Sequence, residues 1–135
     1  RLARPGAALG RAPLYVALPL LAIWGLALAV LLGAAPTARA SLLLGETWQS
    51  CAWNIAGQAL PGFVGALWAL RGLAPTRLRL AGATAGLCAG ALGAFVYAFH
   101  CPELAAPFIG TWYVLGMAIP TAVGAVLGPL ALRWD

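Results

Sequence analysis

The sequence predicts an all-α protein, a polytopic membrane bundle of about four antiparallel transmembrane helices. Three observations carry this. The chain is 63% hydrophobic with only 8% charged residues and a mean hydropathy of +0.92, where soluble domains carry about 25% charge. Four apolar runs, each near the roughly 20 residues that span a hydrocarbon core, punctuate it. Its arginines fall on alternate links between those runs. With 135 residues there is room for a single transmembrane helical domain over 1–135.

The predicted spans are about 14–34, 51–70, 80–99 and 108–132, and none contains Asp, Glu, Lys or Arg. Lipid offers no partner for backbone N–H and C=O groups, so helices are expected. No strand-like alternation suggests a barrel. The connecting segments are short, which makes sequential helices antiparallel neighbours.

Orientation follows from charge. All eight basic residues are Arg, a composition that fits a GC-rich bacterial genome. Arg1, Arg4 and Arg11 precede the first run, Arg71, Arg77 and Arg79 lie in the second link, and Arg133 follows the last run. The opposite face holds Arg39 with Glu46, His100 and Glu103. Seven Arg against one predicts both termini and the Arg71–Arg79 link in the cytoplasm. The net charge of +5 therefore reads as topology, and no direct nucleic-acid contact is expected. Aromatic residues mark the interfaces, with Trp48, Trp53, Trp112 and Tyr113 outside and Trp68 and Trp134 inside. A rival reading takes the N-terminus as a secretory signal ending at Ala38-Arg39-Ala40, although its apolar run is long for one.

Packing signals are clearest in the third run, where Gly82, Gly86 and Gly90 form a small-residue ridge, with Gly124 and Gly128 repeating it in the fourth. Pro61-Gly62 and Pro120 are expected to kink their helices.

The three cysteines differ in kind. Cys51 opens the second run and Cys101 follows the third, so two arms of equal length, about 30 Å each, return both thiols to the same outer height. A disulfide needs Cα atoms within about 7 Å, and the outer face is the oxidising side. Cys51, Asn54 and Gln58 share one helical face, expected to turn inward because polar groups avoid lipid. Cys101, Tyr97, Gly90 and Gly86 share another. Cys88 is expected to be a buried packing residue. His100 and Glu103 beside Cys101, with Asn54, are candidate supporting or metal-ligand residues. Thiolate, imidazole and carboxylate can hold zinc-like metals, yet the spacing matches no dedicated motif, and no metal is firmly assigned. From the residues alone, a structural disulfide, two small packed side chains and a sensor all remain open.

Beyond the individual residues, the chain resembles the NrsF-type membrane anti-sigma factors, negative regulators of an extracytoplasmic-function sigma factor in proteobacteria. The resemblance rests on Cys51 opening the second helix, the Leu67–Pro75 stretch LWALRGLAP, the Gly-rich third helix, His100-Cys101-Pro102 and Trp112-Tyr113. The 50-residue interval from Cys51 to Cys101 is its most specific element. It implies a protein of six helices in the bacterial inner membrane. This chain, which starts at Arg1, would then lack about two upstream helices. The resemblance also implies that a sigma factor is held at the membrane and released when Cys51 and Cys101 meet metal or oxidative stress. No resident cofactor is expected, only transient heavy-metal binding. The partners implied are that sigma factor and the lipid bilayer, with Arg71, Arg77 and Arg79 the candidate cytoplasmic partner surface.

No catalytic residues are found: the chain has no nucleophile–base pair, nucleotide-binding loop or carboxylate pair, and no enzyme is expected. A membrane thiol oxidoreductase would carry a Cys-x-x-Cys pair, which is absent. A small metal or solute transporter would line its spans with ionisable groups, and here only Asn54, Gln58 and scattered Thr are polar.

Overall fold

The computed structural model describes residues 8–133. Arg1, Arg4 and Trp134, assigned above to the cytoplasmic side, lie outside them. The described residues are helical, with no strand among them.

Helix α1 (Ala12–Gly33) takes Pro13 at its start, where a missing N–H costs nothing. It stops at Ala34, and Ala35 is also extended, as the residue before Pro36 must be. Only Ala27 of α1 is buried, and an apolar helix exposed nearly all round suits lipid rather than water.

Helix α2 (Pro36–Leu44) occupies the short connection between the first two predicted spans. Pro36 sits in its first turn, and Gly45 ends it with φ +55, donating its N–H to Ser41 O at 2.9 Å. Proline at the start and left-handed glycine at the end are standard helix punctuation.

Helix α3 (Trp48–Arg71) buries Cys51, Ala52, Ile55, Ala59 and Phe63. Asn54 and Gln58 are exposed, so the expectation that they are turned inward is corrected, although the Asn54 amide still reaches the Tyr97 side chain of the neighbouring helix. The interior face of α3 is the i, i+4, i+8 row of Cys51, Ile55 and Ala59, chosen by small apolar shapes that fit α4.

Helix α4 (Leu78–Ala98) is the central element, with nine buried residues, most of them Gly or Ala. Helix α5 (Ala106–Ala131) contains one π-helical turn over Ile109–Tyr113. As α4 advances from Gly82 to Gly86 to Gly90, its neighbours on α5 recede from Gly124 to Pro120 to Met117, so the two helices are antiparallel. The same reading pairs Gly93 of α4 with Ile55 and Ala59 of α3, and Gly62 of α3 with Ala89 and Leu92, again antiparallel. The glycine ridge allows backbone-to-backbone contact. A Cβ on Gly82 or Gly124 would collide with the other's carbonyl oxygen.

The core lies among α3, α4 and α5, and α1 docks on the 106–113 stretch of α5, where the Gly110 carbonyl accepts the Trp24 indole N–H at 2.9 Å. Cys88 is exposed, contrary to expectation. Ala85 and Ala89 take the face of α4 that meets α3, and Cys88 is left toward the crevice between α1 and α4. Three helices, α1, α4 and α5, are long and apolar enough to cross a membrane, which fits membrane association. Helix α3, at 24 residues, is long enough, but its Gln49, Ser50, Asn54 and Gln58 lower its apolarity.

Candidate functional site: a buried thiol chamber

Cys51 sits in the first turn of α3, its N–H bonded to Thr47 O at 3.0 Å. Cys101 directly follows the turn that ends α4, its N–H bonded to Tyr97 O at 3.0 Å. The structure brings both into one buried cluster with Ile55, Ala94, Tyr97, Phe108 and Tyr113. Cys51 is 0% exposed and Cys101 7%, and both are free thiols. The aromatic walls interlock, with Tyr97 and Tyr113 rings 5.9 Å apart and Phe108 edge-on to Tyr113 at 6.5 Å.

Tyr113 was expected among the interfacial aromatics and instead points into the chamber. The π turn inserts one extra residue into its helical turn, which rotates the following side chains relative to an α-helix. No 3.6-residue pattern could have anticipated that. The Tyr113 hydroxyl is buried without a hydrogen-bond partner, an uncommon state for a polar group. Tyr97 was legible beforehand from its shared face with Cys101, whereas Phe108 carried no signal.

Two segments roof the chamber. Thr47 Oγ1 lies 3.9 Å from Cys101 Sγ, and the Glu46 N–H donates to Glu103 Oε1 at 2.5 Å. The Trp112 indole N–H donates to Leu43 O at 2.8 Å while its ring packs on Trp48 with centroids 5.3 Å apart. Helix α2 and its following turn are thereby fastened over the Cys51–Cys101 end of the bundle, the thiol end.

The other candidates divide. Glu103 reaches the roof, but its carboxylate engages Glu46 and the Gly45 backbone rather than the thiols. His100 is exposed, its Nδ1 3.4 Å from Val96 O. Asn54 is exposed. Among the described residues no group of three or more His, Cys, Asp or Glu side chains could hold a metal ion, and the soft ligands at the chamber are the two thiols and the Met117 thioether packed against them. At the opposite, arginine end, Arg71 Nε donates to Ala131 O, capping α5. Arg77 and Arg79 are exposed at the start of α4.

Fold and site define an all-helical bundle protein, apolar enough in three helices to enter a membrane, that encloses a pair of free thiols. The chain belongs to the family described as Negative regulator of sigma F (NrsF), whose profile matches residues 1–134. It is 52% identical over 134 residues to a probable anti-sigma-F factor NrsF of Azospira oryzae, covering 99% of this chain and 63% of that protein. It is 43% identical over 97 residues to the anti-sigma-F factor NrsF of Caulobacter vibrioides, covering 72% and 45% respectively. The chain thus spans less than two thirds of the length of these curated relatives. No solved structure matches it.

Proposed function

We propose that the chain is the helical part of a membrane anti-sigma factor, which holds an extracytoplasmic-function sigma factor inactive at the bacterial inner membrane. In this reading Cys51 and Cys101 form its stress-sensing pair. The observation that carries the reading is the enclosure of two cysteines, 50 positions apart, in one buried cluster of a chain belonging to this family. Sequestration is binding, so no catalytic group is required.

The chemistry of the pair is simple. Oxidation joins Sγ to Sγ while an oxidant takes two electrons and two protons leave. A soft metal ion would instead be held between the two thiolates, the ligand type such ions select. Either event draws the start of α3 toward the end of α4. The far ends of these helices flank the Arg71–Arg79 link, and Arg71 also caps α5, so a shift at the thiols reaches the arginine end. Release follows if two bundle states differ in affinity for the sigma factor. With helices α1, α3, α4 and α5 crossing the bilayer, both termini and that link face the cytoplasm.

The test combines labelling and transcription in intact cells carrying the full-length protein. Cells are exposed to cadmium or oxidant alongside a sigma-dependent reporter, and in the oxidant arm they are then acid-quenched and denatured so that the buried thiols still free can be counted with maleimide. The expected result is that Cys51 and Cys101 lose labelling after oxidant and that Cys51→Ser or Cys101→Ser abolishes the reporter response. A reporter indifferent to both substitutions would overturn the reading.

A further inference from the structure

We infer that Glu103 is the latch that holds the Cys101 segment closed over the thiol chamber, a positioning residue rather than a metal ligand. The inference deepens the sensing role just proposed for Cys51 and Cys101 and rests on it.

Residues 101–105 have no regular secondary structure, so the position of Cys101 depends on what pins this segment. One pin is the Cys101 N–H bond to Tyr97 O, and another is the anchoring of Pro107 and Phe108, both fully buried, in the core. Between them, Glu103 supplies the side chain that crosses to α2 and α3. Its Oε1 accepts the Glu46 N–H at 2.5 Å. Its carboxylate also occupies the space beside the Gly45 Cα where any other residue would carry its Cβ. Gly45 has φ +55, so glycine is favoured there twice over, by backbone conformation and by the room the carboxylate needs. The Gly45–Glu46–Thr47 turn is shaped around Glu103.

The consequence is a closed ring of contacts. Thr47 precedes α3 and its carbonyl accepts the Cys51 N–H. Its hydroxyl lies against Cys101 Sγ, and the adjacent Glu46 is held by Glu103, two residues beyond Cys101. Both cysteines are therefore referenced to the same turn. A carboxylate–amide hydrogen bond is charge-assisted and stronger than a neutral one, and it fixes one geometry for the pair before any stress arrives. Opening the latch would free the 101–105 segment and admit reagent to Cys101, now 7% exposed.

The test uses the full-length protein in membrane vesicles with Cys51→Ser and Cys88→Ser, leaving Cys101 as the reactive thiol among those described. The rate of its alkylation by maleimide is measured. Glu103→Ala is expected to label about fivefold faster, as for loss of a partly exposed charge-assisted hydrogen bond. Glu103→Gln, whose amide oxygen can still accept the Glu46 N–H, should label at nearly the parent rate, a rescue that general loosening would not give. Gly45→Ala should accelerate labelling in the Glu103 background. It should do so less in Glu103→Ala, where the clash with the carboxylate is gone and only the backbone strain at φ +55 remains. Equal rates for Glu103→Ala and the parent, or additive effects of Gly45→Ala and Glu103→Ala, would overturn the latch. The reporter separates the two ideas: cysteine-dependent signalling with unaltered Glu103→Ala labelling sinks the latch alone. Faster, rescuable labelling with a cysteine-independent reporter sinks the sensing role alone.

Discussion

Gly86 of α4 lies directly against the backbone carbonyl of Pro120 on α5, so close that a Cβ on Gly86 would overlap that oxygen. The obstruction is backbone, which has no rotamer to yield. Gly86→Ala should therefore separate the helices and destabilise the bundle by about 1–3 kcal/mol, the range for overpacked cores. Gly25→Ala, on α1 with nothing within 4 Å, should be neutral or slightly stabilising because Ala is the better helix former. Unfolding of the two variants in mixed detergent micelles measures the difference.

Tyr113 offers a prediction of opposite sign for two substitutions. Its hydroxyl is buried without a partner, so Tyr113→Phe removes an unsatisfied group while keeping the ring, and stability should stay level or rise by about 1 kcal/mol. Tyr113→Ala empties a site packed by Tyr97 and Phe108 and should cost about 3–5 kcal/mol, as other aromatic-to-alanine core changes do. The same detergent titration reads both. A large loss in Tyr113→Phe would mean that the hydroxyl has a partner after all.

The attachment of α1 is expected to be the weakest joint in the bundle. It relies on Ala27 and on the Trp24 indole hydrogen bond to Gly110 O. Trp24→Phe should weaken docking by about 1 kcal/mol without unfolding α3–α5. Spin labels at Leu28 and Thr111 should report a broadened distance distribution, while a pair placed on α4 and α5 should not change.

At the arginine end, Arg71→Gln should loosen the last turn of α5. Arg71 Nε caps the Ala131 carbonyl, one of the terminal carbonyls that a helix cannot satisfy internally. Hydrogen exchange should accelerate in residues 128–132 and remain unchanged around Gly116. Equal protection in the variant would show that water replaces the guanidinium at no cost.

Helix positions were legible because apolar length belongs to a segment by itself. The predicted runs 14–34, 51–70, 80–99 and 108–132 end within three residues of α1, α3, α4 and α5. Helix α2 was missed because it is too short to span, although Pro36 and Gly45 marked its ends. The faces were less legible. In a chain where most side chains are apolar, hydrophobicity does not separate the core from the lipid side, and close packing selects small residues instead. Polarity points Asn54 inward and depth in the bilayer makes Cys88 a packing residue, yet Asn54 is exposed and Cys88 faces a crevice.

The helical class, the glycine ridge and the separation of cysteines from arginines follow from composition or from spacing along a single helix, and are readable without any tertiary contact. Which side chains enclose Cys51 and Cys101 is set by the packing of helices against one another. The π turn that points Tyr113 inward and the Gly45 turn that receives Glu103 arise where separate segments meet, and the fit between them has no counterpart in any one segment's residues.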